Sequence, residues 1–477
     1  MSEEIRLSGE WFINETEEIL PGTLHINESE KHIYLVLTKL CTPENPLSGI
    51  KARGKVSMIK GNIDTGGNIL LYDCKFGGQH TQIFQRTQVA ISVKYAFWNL
   101  NVANIEELRF PKVSVDFGEV LEWADLCFFE SDYKDEMYAF KWKCEEKIEY
   151  SVDDNTCLTI CPVFGGYPIS VKQKEIHMNQ KIVFQLSYEE PKQWRDIIKD
   201  IRILRNILSL GMCRSIYIDG IEYYHDSHKM EEIPEYIHPM KIFSGTGEVG
   251  KQKPGNPWEY LFTLKDLTDN GCMCLKNCFS KYQKLKPIVE LATVAFHYKD
   301  ISTEMLFLNL TQGLETYHAR FVSDNPKVYF EMVDHLVQER YGVSSKDQYT
   351  SYALADRAFM ISERNEDKTK QLHLKSRLGY LFYMRDEVWT GFIGYSREEF
   401  LQKMVDTRNY FTHYSESKEN KIFSKEVMPY VNGILMAYLN FYILKEIGIE
   451  ENKNLDSFRK KMVDINRTFD ENKLDRI

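Results

Sequence analysis

No apolar stretch of this chain reaches the roughly twenty residues that a membrane-spanning helix needs. The longest, Val431 to Leu444, is interrupted by Asn432 and Asn440 and predicts a buried helix. An excess of positive charge is also missing. The formal net charge is -10 with 27% charged residues, so no global field draws nucleic acid, and a polyanion has to bind at a local patch or a shared interface. The opening Met1-Ser2-Glu3-Glu4 is no charged-then-apolar leader, and the ten cysteines are scattered. Both features fit a reduced cytoplasmic protein better than a disulfide framework. Internal repeats and low-complexity tracts are lacking too. Aromatic residues are abundant: 28 Tyr and 27 Phe supply ample core for the two or three domains that 477 residues imply.

Residues 1 to about 188 carry short runs with two-residue alternation or β-branched and aromatic enrichment. Examples are His32 to Leu37, Val89 to Tyr95, Lys112 to Phe117 and Lys181 to Leu186, with Gly66-Gly67 and Gly77-Gly78 as turn-prone breaks. This part is expected to be a β-sandwich or a barrel-like sheet. A helix follows, with Pro191 in its first turn, an apolar face of Trp194, Ile197, Ile198, Ile201, Leu204 and Leu208, and Gly211 past its end. Asp219-Gly220 between Ser215–Ile218 and Ile221–Tyr224 predicts a hairpin. From His225 to Pro257 the chain is polar and rich in Pro and Gly, as a connection would be.

After Trp258 the period is helical. Leu306–Phe321, Val328–Arg340, Leu372–Met384, Arg397–His413 and Lys425–Glu446 all carry it. Ser396 with Glu399 is a capping box, and Ser424 and Gly448 bracket the last of these helices. The expected class is therefore α+β: a β-rich domain over 1–257 and an all-α bundle over 258–477.

Three motifs are weaker than they look. Gly245-Thr246-Gly247-Glu248-Val249-Gly250-Lys251 matches a dinucleotide fingerprint and most of a P-loop. Yet Gln252 stands where a magnesium-holding Ser or Thr belongs, and Lys253-Pro254-Gly255-Asn256-Pro257 replaces the required helix start. Cys272, Cys274 and Cys278 lack the paired spacing or nearby histidine of a zinc site and predict small buried residues. His225 and His228 flank Asp226 in a polar segment and receive no role.

The run Asp406-Thr407-Arg408-Asn409-Tyr410-Phe411-Thr412-His413 is different. An arginine offers a fixed positive fork for phosphate, and a histidine both gives and takes a proton near neutral pH. Five helical residues turn through about 500°, leaving Arg408 and His413 about 140° apart, so they converge only at a helix end or in a cleft shared with another helix. Spacing alone also allows a surface arginine and a helix-end histidine on the dipole. A second feature weighs against that. Glu315 and His318 are three apart among apolar Leu308, Leu314 and Phe321, and a core-facing carboxylate and imidazole need partners such as an arginine from another helix.

Together, the helix-rich second half, Gln312-Gly313-Leu314-Glu315 and Arg408-Asn409-x3-His413 resemble a HEPN domain of the ApeA type. The first half resembles the ApeA N-terminal domain through Gly9-Glu10-Trp11, Pro21-Gly22-Thr23-Leu24, Phe110-Pro111-Lys112-Val113 and Leu121-Glu122-Trp123. The resemblance implies a prokaryotic anti-phage defence protein with a metal-independent ribonuclease, needing no cofactor. It implies that Arg408 holds the scissile phosphate, His413 acts as general acid or base, and Asn409 positions the arginine or the phosphate. Glu315 and His318 would orient Arg408. The RNA 2′-hydroxyl serves as a built-in nucleophile, so the protein need only orient it, move protons and stabilise charge. HEPN domains of this kind pair, which implies a homodimer acting on RNA, with a phage-derived trigger and no membrane partner. Two other readings remain: a non-catalytic RNA- or nucleotide-binding module, and a protein-interaction sensor.

Overall fold

The computed structural model describes residues 4–13, 17–42, 44, 49–51, 53–82, 85–127, 129–134, 137–142, 148–166, 178–230, 237–247, 259–269, 271–298, 300–361, 372–384, 393–414 and 416–474. They form two compact units: Met1–Arg205 with Ile216–Pro257, and Asn206–Ser215 with Trp258–Ile477.

The first unit is built on a closed barrel of six antiparallel strands, β1 (Ile5–Ile13), β2 (Glu18–Asn27), β3 (His32–Leu40), β4 (Lys55–Ile63), β5 (Asn68–Gln82) and β6 (Arg86–Trp98). Pairing runs β6-β3-β2-β1-β4-β5 and returns from β5 to β6, which leaves the ring without an open edge. The alternation read from the sequence is the inside-outside alternation of this ring. On β3, Ile33, Leu35 and Leu37 point inward with Trp11, Leu24 and Ile91, and His32 points out. Burying each such side chain contributes about 1.5–3 kcal/mol.

Strand β6 is long enough to serve two partners on one edge. Its first half pairs with β3, from Arg86 to Ser92, and Tyr95 to Phe97 pair with a later strand. Further strands extend from there: β7 (Arg109–Asp116), β8 (Phe129–Lys134), β9 (Met137–Trp142), β10 (Ile148–Ser151), β11 (Thr156–Gly166), β12 (Met178–Gln193), β13 (Gly220–Tyr224) and β14 (Met240–Ser244). Of these, β8 and β9 form a separate ribbon, and the rest continue the sheet in the order β14-β13-β7-β12-β11-β10. A short helix α1 (Leu121–Ala124) follows β7, and α2 (Trp194–Gly211) follows β12.

Two local expectations are corrected. Ser215–Ile218 is no strand and Asp219-Gly220 no hairpin turn. Instead Gly220 opens β13, which pairs with β7 and β14, and the Asp219 N–H donates to Asp116 O at 2.8 Å. Two longer-range ladders outweigh one tight local turn. Pro191 precedes α2 and lies between Ser187 and Lys192, where β12 slips register against β7. A residue without an N–H is tolerated at such an irregularity.

The second unit is helical: α3 (Leu264–Thr268), α4 (Met273–Ser280), α5 (Tyr282–His297), α6 (Thr303–Tyr317), α7 (Pro326–Tyr341), α8 (Ser351–Met360), α9 (Leu374–Tyr383), α10 (Arg397–His413), α11 (Met428–Ile447) and α12 (Glu451–Leu474). The run that was too short for a membrane is α11, buried on nearly every side and packed against α4, α5, α6 and α12. Its Asn432 donates to Thr303 O at 2.9 Å, which satisfies one polar group in that core. Among the described residues no helix is long and apolar enough to cross a membrane. Gly313 sets the approach of α6 to α11, because a Cβ there would lie 2.8 Å from Leu439 Cδ2.

Candidate active site

Helix α10 is fixed from its first turn. The Ser396 N–H donates to Glu399 Oε2 at 2.9 Å and the Glu399 N–H returns to Ser396 Oγ at 3.3 Å, closing the capping box. Phe400, Leu401, Met404 and Thr407 are buried along one face, and the Thr407 hydroxyl accepts the Phe423 N–H at 3.1 Å. This face sets the rotation of the helix and leaves Arg408 and Asn409 half-buried and His413 exposed on the final turn. Tyr414, with φ of 49°, closes α10 in the left-handed conformation.

On α6, Phe307, Leu310, Leu314 and Tyr317 face the core, and Glu315 projects toward α9 and α10. Its two oxygens are divided between two arginines. Oε1 lies 3.4 Å from Arg408 Nε, and Oε2 lies 3.8 Å from Arg377 Nη1. Arg377 also pairs with Asp324 Oδ1 at 2.5 Å through Nη2. Burial raises Glu315 above the ordinary carboxylate range, and the charges of Arg408 and Arg377 oppose that shift. Two guanidinium groups on one carboxyl favour its ionised form at neutral pH.

The two arginines differ in what they leave available. Arg377 is 13% exposed, whereas Arg408 is 32% exposed. Arg408 spends Nε on Glu315, and its Nη1 lies 3.5 Å from Asn409 Oδ1. The open side of its fork can therefore meet an anion while the closed side is held. His413 stands five residues on, on the exposed end of the same helix.

His318 is placed differently from Glu315. The α-helix ends at Tyr317, and His318–Val322 winds as a π turn. The ring is fully buried, edge-on to Tyr329 at 5.2 Å and Tyr380 at 5.6 Å. Neither nitrogen has a hydrogen-bond partner among the described residues. Burial, reinforced by nearby Arg377, pushes its pKa down to about 3. A neutral, enclosed ring of this kind moves no proton at neutral pH.

Arg377 and Asp324 escaped the sequence reading. Arg377 carried a usable signal, since a lone arginine on α9, where Ser376, Leu378, Gly379, Leu381, Phe382 and Tyr383 are all buried, must have an anionic partner. Asp324 sits between helices and carried none.

The weaker motifs find ordinary places. Cys274 and Cys278 are buried on α4, and the Cys274 thiol donates to Gly448 O at 3.0 Å. Burial raises the pKa of both thiols. No group of three or more His, Cys, Asp or Glu among the described residues could hold a metal ion. His225 Nδ1 lies 2.7 Å from Ser227 Oγ, and His228 Nε2 lies 3.3 Å from the Tyr223 hydroxyl. Residues 248–258, the rest of the glycine motif included, lie outside the described residues.

A closed β-barrel with added strands, followed by a helical bundle that carries a carboxylate-anchored arginine and a helix-end histidine, defines a two-part protein with a HEPN-type helical domain. The family model described as Apea-like HEPN matches residues 308–453, and the one described as ApeA N-terminal domain 1 matches residues 6–278, more than half of the chain. The chain belongs to the ApeA family of HEPN-domain proteins. HEPN domains are typically ribonucleases, commonly dimerise and bind RNA, and the family points to an RNase-type or nucleotide-related role in defence. No curated protein and no solved structure matches the chain.

Proposed function

We propose that this protein is a metal-independent RNA endonuclease of anti-phage defence, acting in the cytoplasm as a homodimer paired through its helical domain. One observation carries the reading: Glu315 grips Arg408 from one side, while the rest of the guanidinium stays half-open beside Asn409, on the helix whose last turn carries the exposed His413. In this reading Arg408 binds the scissile phosphate and stabilises the charge that builds on the phosphorane. Asn409 steadies the fork. His413 takes the proton from the 2′-hydroxyl or gives one to the departing 5′-oxygen. The attacking oxygen belongs to the RNA itself, so DNA is resistant.

Glu315 is the positioning residue and Arg377 fixes Glu315 in turn. His318 supports the fold around them. The separation of Arg408 and His413 around α10 is met by a second copy, which brings two arginines and two histidines to one cleft. Tyr414, 71% exposed beside His413, offers a flat face on which an unstacked base can lie. The β-rich domain, over residues 1–257, senses a phage-derived trigger or restrains the helical domain of residues 258–477.

The test is cleavage of transfer RNA and other RNA by the purified protein in EDTA, with Arg408→Ala and His413→Ala beside wild type. Cleavage by wild type and loss in both variants supports the assignment. Variants that cut as well as wild type overturn it. Binding that survives in His413→Ala and is lost in Arg408→Ala, without cleavage by wild type, identifies a non-catalytic RNA-binding module instead.

A further inference from the structure

We propose that the β-rich unit contains a binding site for a nucleoside phosphate, in the cavity between α2 and the adjoining ends of β6, β13 and β14. The cavity has a volume of about 370 Å³, which lies in the range of small-ligand pockets, roughly 300–1,000 Å³. This size suits one nucleotide and excludes a folded partner.

Its charge is one-sided. Among the described residues, Lys94, Arg202 and Arg205 line it and no carboxylate does. Arg202 and Arg205 are three residues apart on α2 and so share a face. Arg202 is exposed and makes no ion pair with a described residue, while Lys94 lies 3.5 Å from Asp73 and remains 38% exposed. In a chain of net charge -10, a concave site whose charged lining among the described residues is cationic is a local exception, and arginine forks match phosphate oxygens in geometry as well as charge.

The remainder of the lining suits the other half of such a ligand. Tyr95 and Trp194 meet edge to face at 5.2 Å, and with Ile201 they supply an apolar and aromatic wall. Trp194 is 1% exposed, and its Nε1 has no hydrogen-bond partner among the described residues.

Gly245, the first residue of the glycine motif, has a structural account. A Cβ on Gly245 would lie 2.1 Å from Val93 O, so only glycine lets the chain run this close to β6, where the Gly245 N–H donates to Lys94 O at 2.8 Å. That approach places the Ser244 and Thr246 hydroxyls, 3.2 Å apart, on the cavity beside the cations. Hydroxyls and guanidinium groups over an aromatic wall recognise a phosphate joined to a flat ring.

The full-length protein should be titrated calorimetrically with AMP, ATP, GTP and UTP, and separately with inorganic phosphate. At least one nucleotide is expected to bind saturably at one site per chain, more tightly than phosphate. Arg202→Glu should weaken that binding by at least about tenfold, and Thr246→Val should weaken it by a smaller factor. Arg202 is exposed, so its replacement should leave the melting temperature unchanged, and Thr246→Val provides a second probe without a change of charge. The site is overturned if no nucleotide binds, if phosphate binds as tightly as the nucleotides, or if both variants bind like wild type. Each of those outcomes leaves the RNA cleavage assay untouched.

Discussion

Glu315 and Arg408 meet across two helices, carboxylate oxygen to guanidinium Nε at 3.4 Å, and Arg377 holds the other carboxylate oxygen at 3.8 Å. The arginine proposed to bind phosphate is thus anchored by a residue 93 positions earlier in the chain.

Replacing Glu315 by Gln keeps the shape of that anchor and removes its charge. A small misplacement of a catalytic group can cost about 100-fold, so kcat for RNA cleavage should fall by roughly 10- to 100-fold with a smaller change in KM. Steady-state kinetics checks this, and Glu315→Asp should recover part of the loss. A Gln variant with wild-type kcat would show that Arg408 needs no anchor.

His318 should make the protein sensitive to acid. Its pKa is about 3 in the fold against an ordinary 6.5, so its contribution to stability is complete above pH 6.5 and is lost as the pH falls toward 3. The loss amounts to about 1.4 kcal/mol for each pH unit below 6.5. His318→Phe keeps an aromatic ring against Tyr329 and Tyr380 and removes the titrating group. Urea unfolding at pH 7 and pH 5 should show a smaller acid loss in the variant. Equal losses in both proteins would place the sensitivity elsewhere.

Gly313→Ala should destabilise the helical unit despite alanine's better helix propensity. The new methyl meets Leu439 Cδ2 at 2.8 Å and Cδ1 at 3.3 Å. Overpacking costs about 1–3 kcal/mol, and the propensity gain returns only about 0.5–1 kcal/mol. Thermal unfolding decides between them. A melting temperature at or above wild type would mean that Leu439 moves aside freely.

Tyr414→Ala should raise KM for RNA and leave kcat near wild type. Stacking a base on an aromatic ring contributes about 1–3 kcal/mol, equivalent to roughly 5- to 150-fold in affinity. Tyr414→Phe keeps the ring and should behave as wild type. Equal KM values in all three proteins would remove Tyr414 from the RNA path.

Much of the architecture could be read from local pattern. The alternation at Ile33, Leu35 and Leu37 marked a strand with an inner face, and Ser396 with Glu399 marked the start of α10. The Asp219-Gly220 pair misled because a good turn dipeptide says nothing about which distant strands compete for its neighbours. Helices α1, α3, α4, α5, α8 and α12 lie outside the set that the local pattern predicts. The spacing of Glu315 and His318 put them on one face, but the helices packed around them give them different surroundings, Arg408 and Arg377 for one and two tyrosine rings for the other.

By itself the sequence determined the division into a β-rich first part and a helical second part, the helical setting of Arg408, Asn409 and His413, and the need of Glu315 for a cationic partner. Those follow from short-range sterics, periodic burial and the cost of an unpaired charge, all of which act within a few residues. Only the tertiary structure decided that the first six strands close into a barrel, that Arg408 and Arg377 share one carboxylate, and that Lys94, Arg202 and Thr246 line one cavity. Each of these joins residues far apart in the chain, and such contacts exist only once the core between them has packed.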